Sequence, residues 1–327
     1  MNEQQSNFPH LVLVRNRAGV SVPFSVESLA TSVLVSGIEA PAAYRLADGI
    51  SEALRAARTV EIESRALVES TAELLEGRFG LEAAERYRGW RELRQQGRPL
   101  VLCLLGAPGV GKSTVATHLA PRLGIDRVVP TEALREVLRT TIPESVLPEL
   151  HISAHEASAH DGSASDGSDG QASPSQPAET PSPCVSGFLR QAGAVAGAAA
   201  AVAERTVREG RSLLLVGAHL VPGAMQKALR ERGSNAYVLE LLLTLDEQSL
   251  HRAMMLRRLR SSPSQPGVRH VQSFAAVRAL QDELRELAQK AGVMWQDLAN
   301  PEGLTEWIVD HAVAAHREGQ PSVALLA

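Results

Sequence analysis

The sequence predicts an α/β protein: a doubly wound parallel sheet of about five strands, preceded by a small, mostly helical module. Three features point there. From residue 99 onward, short apolar runs alternate with amphipathic stretches, the order that places helices on the faces of a parallel sheet. A glycine-rich loop, GAPGVGKS at 106–113, joins one of those runs to a helix start. The stretch QQGRP at 95–99, with Gly97 and Pro99 as breakers, separates this region from the one before it.

Taken in order, residues 1–9 are polar and predict a disordered tail. Leu11–Val14, a turn through Asn16–Gly19 and Val20–Phe24 predict a hairpin. Helical periodicity follows over Val26–Ser36, Pro41–Ala57, Ile62–Glu76 and Leu81–Arg94, giving a first domain over 10–95. In a second domain over 99–320, strands are expected at about 100–105, 126–130, 212–217, 236–244 and 293–297. Helices are expected at about 112–122, 132–140, 186–209, 223–232, 247–260, 271–291 and 302–316. Asn300-Pro301-Glu302 predicts the start of the last one, as N-cap, first-turn proline and acid. Residues 160–183 break the rhythm: crowded with Ser, Gly, Asp and Pro, they bury too little to offset their ordering entropy. They predict a disordered, low-complexity insert within the second domain.

Composition narrows the function. A chain of 327 residues is long enough for about two domains. With 44% hydrophobic but 3% aromatic residues, its cores must be aliphatic and alanine-rich. A net charge of −4 without a basic tail argues against a dedicated nucleic-acid binder. No apolar run approaches the ~20 residues of a membrane span, and MNEQQSNFPH has no signal-peptide pattern. Cys103 and Cys184 fit neither a disulfide framework nor a zinc spacing, which predicts a reducing, cytoplasmic setting. Lysine is scarce (Lys112, Lys227 and Lys290 only) and arginine abundant, so a lysine in a motif carries more information than an arginine.

Gly106-Ala-Pro-Gly109-Val-Gly111-Lys112-Ser113-Thr114 is a P-loop pattern in its required strand–loop–helix setting. Its glycines free backbone N–H groups to wrap phosphate, and the helix that follows adds its positive end. Lys112 would reach the β- and γ-phosphates, and the Ser113 hydroxyl would help hold Mg²⁺. The partner ligand of such a sheet lies at the carboxyl ends of neighbouring strands. There Glu132 is placed to accept a proton from a substrate hydroxyl or to hold Mg²⁺ through water, with Arg135 and Arg139 one turn apart to clamp an anion. The same residues also read as an acid-capped helix with a solvated basic face. His219 follows the third strand, in substrate reach or merely structural, and Val216 stands where a Walker-B-type acid is expected. Arg252, Arg257, Arg258 and Arg260 resemble a lid that neutralises the transferring phosphoryl group, or an ordinary cationic face. His151, His155 and His160 do not make an HExxH zinc motif.

The segments GAPGVGKSTVATHLAPRLGIDRVVPTEALREVLRT, PESVLPELHISAHEA, GFLRQ and GRSLLLVGAHLVPG resemble the 2-phosphoglycerate kinase family. HRAMMLRR and VRALQDELRELAQKAGV extend the resemblance, which runs over about 100–300 apart from the insert. The first domain resembles the ATP-cone, a regulatory nucleotide-binding domain, with Val14, Arg15 and Arg17 on its opening pattern and Phe24 as its apolar anchor. The resemblance implies a P-loop kinase fold and ATP-dependent phosphorylation of the 3-hydroxyl of 2-phosphoglycerate, with 2,3-bisphosphoglycerate and ADP as products. Carried over by position, Lys112 and Ser113 serve ATP and Mg²⁺, while Arg135, His151 and His219 fall on substrate-side motifs. The partners implied are ATP and a small anionic phosphorylated substrate, without nucleic acid or membrane, and a homo-oligomer is compatible. The sequence departs from the family in having Thr131-Glu132 where Thr-Asp is usual, Val216 in place of an acid, and the insert just after the His151–Glu156 motif. A second class therefore stays open: a nucleotide-binding regulatory protein with little or no phosphotransfer.

Overall fold

The computed structural model describes residues 11–95, 97–152, 183–261, 271 and 273–317. The expected tail over 1–9 and insert over 160–183 lie outside them, except that Pro183 opens a helix, where a missing N–H costs nothing. The chain forms two compact units that divide at Gly97 and Arg98.

The first unit carries strands β1 (Leu13–Arg15), β2 (Ser21–Pro23) and β3 (Glu61–Glu63) in the order β2-β1-β3. The expected hairpin is present, and Asn16 makes its turn by accepting from the N–H groups of Ala18 and Val20, at 3.0 and 2.9 Å. Its helices are α1 (Val26–Val33), α2 (Ala40–Ala56), α3 (Ser64–Phe79) and α4 (Leu81–Gln95). Ser25 caps α1 by accepting from Ser28 N–H at 3.0 Å. A helix was expected from Ile62, but the structure places Glu61–Glu63 as a parallel partner of β1, with Ile62 opposite Val14. A three-residue strand with exposed glutamates on either side has no alternation long enough to read.

In the second unit, β4 (Leu100–Leu105), β5 (Arg127–Pro130), β6 (Leu213–Val216), β7 (Tyr237–Thr244) and β8 (Met294–Asp297) form one sheet in the order β5-β6-β4-β7-β8. Every pairing is parallel. These are the five expected strands, within a few residues at each end. Because β4, β6 and β7 are covered on both faces, β4 and β6 read as unbroken apolar runs and β7 as one interrupted only by Glu240, rather than as alternating strands. The helices α5 (Lys112–Arg122), α6 (Thr131–Thr141), α7 (Pro183–Arg208), α8 (Ala224–Glu231), α9 (Gln248–Ser261) and α10 (Phe274–Ala291) follow the expected order. Ala192, Ala199, Ala200 and Ala203 put a small-residue stripe of α7 into the core with Val101, Cys103, Leu213 and Leu215. The aliphatic, alanine-rich core predicted from composition is thus the one found.

One buried charge in this core is structural. Glu240, on β7, accepts from the N–H groups of Gly223, Met225 and Gln226 at the start of α8. Burial pushes its carboxyl up, while those three N–H groups hold it down. It satisfies donors that a helix of this length leaves open at its first turn.

The last helix, α11 (Leu304–Arg317), differs from expectation in two ways. It starts after Gly303, whose φ of +76° cannot continue a helix, so Asn300 is not its cap. It also belongs to the first unit rather than to the 99–320 domain. Arg86 of α4 pairs with Asp310 at 2.8 Å, and a Cβ on Gly89 would come within 2.5 Å of Val313. An apolar stripe such as Leu304, Ile308, Val309 and Ala312 states that a helix is buried, but not against which core.

Candidate active site

β4 lies between β6 and β7, so the chain leaves it in opposite directions and its carboxyl end is the switch point of the sheet. The loop Gly106–Gly111 sits there, running into α5 at Lys112. Gly106, Gly109 and Gly111 have φ of +141°, +86° and +101°, a backbone that side chains rarely adopt. A Cβ on Gly106 would lie 2.4 Å from the Leu243 carbonyl, and one on Gly109 would lie 2.3 Å from Met255 Cγ. These glycines are therefore required twice, by their dihedrals and by the close approach of β7 and α9.

The loop opens into a cleft of about 420 Å³ lined by Gly109, Gly111, Lys112, Ser113, Thr114, Met254, Arg257 and Arg258. Six of the residues expected to serve nucleotide or phosphoryl transfer, Gly109, Gly111, Lys112, Ser113, Thr114 and Arg257, meet at this one cleft. Lys112 is buried, and its ammonium donates to the Ala107 carbonyl at 2.8 Å. Burial pushes its pKa down to about 8, with Glu132 pulling it up and Arg258 pushing it down further. A cation so placed, short of hydration and held by one carbonyl, gains most when an anion arrives. The first turn of α5 adds its unpaired N–H groups to the same anion site.

On the other side, α6 brings Thr131 and Glu132 to the end of β6. Gly217 makes room for them: a Cβ there would fall inside the Thr131 hydroxyl, at 1.7 Å, and 3.1 Å from Glu132 Oε2. Desolvation raises the Glu132 carboxyl, but the Lys112 charge, His219 and the N–H groups of its own residue and Ala218 outweigh it. The carboxylate is held below its usual range. His219 is 2% exposed, and its Nδ1 lies 3.0 Å from the Thr131 hydroxyl. Its Nε2 is buried with no hydrogen-bond partner among the described residues. Burial drives the imidazole down to about 4, Glu132 opposing and Arg135 and Lys112 adding to the shift, so the ring is neutral at pH 7.

The remaining expected residues are placed differently. Arg135 Nη1 donates to the carbonyls of Leu150 and Ile152, at 3.2 and 2.7 Å, and its Nη2 pairs with Glu136. Arg139 also pairs with Glu136, at 3.1 Å on an exposed face. His151 Nε2 lies 3.0 Å from the Ile142 carbonyl. Arg135 and His151 thus brace the turn at 148–151, where Gln191 donates to the Ile152 carbonyl at 2.9 Å and Arg190 pairs with the buried Glu149 at 2.6 Å. His155 and His160 lie outside the described residues. Among those described, no cluster of three His, Cys, Asp or Glu side chains is arranged to hold a metal.

The residues unread in the sequence lie behind the loop on the β7 side. His251 of α9 is fully buried against the Pro108 carbonyl, and Arg278 and Gln281 of α10 hold the end of β7 at Leu245. The readable signal was Gln281 itself, a polar residue on the apolar stripe Val277, Leu280, Leu284 and Ala288.

No family model matches the chain. A curated 2-phosphoglycerate kinase of Methanocaldococcus jannaschii is 31% identical over 282 residues, covering 86% of this chain and 84% of that one. A curated 2-phosphoglycerate kinase of Pyrococcus horikoshii is 37% identical over 205 residues, 62% of this chain and 63% of that one. Among solved structures, a candidate kinase of Chloroflexus aurantiacus superposes with a TM-score of 0.38 at 16% identity, covering 65% of this chain and 98% of that one. A phosphate loop at the switch point of a five-stranded parallel sheet, and identity running through most of a curated enzyme, together assign the chain to the 2-phosphoglycerate kinase family of phosphotransferases.

Proposed function

We propose that the protein transfers the γ-phosphoryl group of ATP to the 3-hydroxyl of 2-phosphoglycerate, giving 2,3-bisphosphoglycerate and ADP. The observation that carries this reading is the cleft over the phosphate loop, lined by Lys112, Ser113, Arg257 and Arg258, with the Glu132 carboxylate near enough to Lys112 for each charge to favour the other. Lys112 binds the donor's phosphates and Glu132 takes a proton from the acceptor. The naming of the curated archaeal relatives supports the choice of acceptor.

The glycine cradle fits a polyphosphate, since three positive-φ glycines free the loop's backbone N–H groups to wrap a phosphate at the cleft. Ser113 is exposed at the first turn of α5 and fits Mg²⁺, which takes few protein ligands beside phosphate and water. When bound, Mg²⁺ supplies charge neutralisation on the phosphate oxygens. The chain's own residues do the rest. The acceptor oxygen attacks the γ-phosphorus, its proton passes to Glu132, and the bond from the γ-phosphorus to the bridging oxygen breaks to release ADP. Arg257 and Arg258 line the same cleft and offset charge on the transferring group. His219, neutral and with a free Nε2, offers a hydrogen bond to the acceptor.

The first unit we read as an ATP-cone-like regulatory domain over 10–95; its hairpin, bearing Arg15, followed by helices, supports that. A reducing cytoplasm suits the buried, unpaired Cys103. The test is direct: purified protein, ATP, Mg²⁺ and a panel of phosphorylated hydroxy acids, with ADP release and product identification. Turnover of 2-phosphoglycerate to the 2,3-bisphosphate is expected. Nucleotide binding without turnover of that acceptor would overturn the substrate and favour a regulatory role.

A further inference from the structure

His251 sits at the root of α9, the helix whose later turns present Met254, Arg257 and Arg258 to the phosphate cleft. It is fully buried, and its Nε2 lies 2.8 Å from the carbonyl of Pro108 inside the loop. A carbonyl only accepts, so Nε2 carries the proton. Its Nδ1 faces Arg278 Nη1 at 3.5 Å, and a guanidinium only donates, so Nδ1 is the bare nitrogen. Arg278 therefore selects the tautomer that lets His251 hold the loop. Burial keeps the ring neutral, the Pro108 bond opposing and Arg278 and Lys112 adding to the shift. The ring is fixed in plane as well, with the Phe274 ring edge-on at 5.4 Å and 74°.

Two further contacts join the same helix to the same loop. Met255 packs where a Cβ of Gly109 would stand, and Met254 Cε comes within 3.2 Å of that position on Gly111. Arg258 follows His251 by seven residues, two turns along one face of α9. Its charge reaches Lys112, whose pKa it depresses.

We propose that His251 is a positioning residue: by tying Pro108 to α9, it sets the distance between the phosphate loop and Arg258, so that Lys112 and Arg258 grip one triphosphate together. The proposal rests on the reading that this loop binds nucleotide triphosphate, but not on the identity of the acceptor. It assigns no chemistry to His251, which contacts neither reacting group and acts through the helix.

The experiment uses the full chain and equilibrium binding of the non-hydrolysable β,γ-imido analogue of ATP with Mg²⁺, which requires no turnover. His251→Gln carries an amide N–H at the reach of Nε2, whereas His251→Asn is one methylene shorter and falls short of Pro108. The Gln variant is expected to bind within about threefold of the parent, and the Asn variant about tenfold more weakly, a difference of about 1.4 kcal/mol. Arg258→Ala is also expected to lose about tenfold. Combined with His251→Asn, it should lose little more than either alone, because both remove one shared contact. Equal binding by the Gln and Asn variants, or a double variant about a hundredfold weaker, overturns the proposal, since a residue that only supports the fold adds its cost independently. Failure of the parent protein to bind the analogue at all would instead overturn the nucleotide reading of the loop.

Discussion

On the β7 side of β4 the phosphate loop is gripped from behind, whereas on the β6 side it faces a shorter and looser wall. β7 is an eight-residue strand, buried throughout, and its end is clasped by α10: Gln281 exchanges two hydrogen bonds with Leu245, and Arg285 pairs with Asp246. His251 extends that clasp to Pro108 in the loop itself. β5 and β6 have four residues each, β5 is the sheet's edge, and the buried His219 keeps a ring nitrogen without a partner. The clasp has orphaned donors too, Arg278 Nε and Arg285 Nε, but those guanidinium groups bond through their other nitrogens, whereas the buried ring nitrogen of His219 costs about 1–3 kcal/mol until a partner reaches it. The difference separates two tasks of the proposed kinase. The donor's phosphates meet a wall assembled in advance, and the acceptor meets groups held in reserve.

The largest test of the comparison is Lys112→Ala. Lys112 is shared by both sides, as the loop's cation and as the neighbour of Glu132. Turnover, measured as ADP release, should fall by more than about 10³-fold, since it removes a charge aimed at the transferring group in a dry site. The melting temperature should hold, because the side chain's one hydrogen bond is to a loop carbonyl. Retained activity would take the phosphate loop out of the mechanism.

Next comes Glu132→Gln, which should separate the two sides. A positioned base is worth about 10²–10⁴-fold, so kcat should drop by that factor. Affinity for the ATP analogue should change by no more than a few-fold, because the clasped side is untouched. A loss of nucleotide affinity as large as the loss of kcat would make Glu132 part of the donor site and erase the distinction.

The two sides were unequally legible in the sequence. The loop and its strand are local: eight consecutive residues state the phosphate site, and unbroken apolar runs state strands covered on both faces. Thr131, Glu132 and His219 were also reachable, because each follows a strand whose carboxyl end must point at the loop. Of the clasp only Gln281 was marked, as a polar residue on an apolar stripe. Leu245 follows β7, His251 lies on α9 and Arg278 and Gln281 lie on α10, and nothing in their spacing states that they meet. Arginine abundance hid the rest: Arg135 reads as a substrate clamp, but its guanidinium is bonded to the carbonyls of Leu150 and Ile152. Side-chain direction on a helix is set by what packs beside it, and that neighbour comes from residues far along the chain.

The smallest expected effect is on stability and probes the reserve on the β6 side. His219 has a folded pKa of about 4 against an ordinary 6.5, so the unfolded chain binds a proton that the folded one refuses. Its contribution is present in full above pH 6.5 and is lost as the pH falls toward 4. A shift of this size corresponds to no more than about 3 kcal/mol across that window. His251 shifts in the same direction, so the parent protein carries a slope from both rings. His219→Asn, with its amide nitrogen near the place of Nδ1, should keep the Thr131 contact and remove only its own part. Denaturant midpoints from pH 7 to pH 5 should therefore fall less steeply in the variant than in the parent. Below about pH 4.5 both should fall further, because the unfolded chain then protonates Glu132 while the folded protein holds that carboxylate ionised. Parallel curves from pH 7 to pH 5 would mean that His219 is charged or solvated in the folded protein. The β6 side would then hold no neutral ring in reserve, and an acceptor would find water there already.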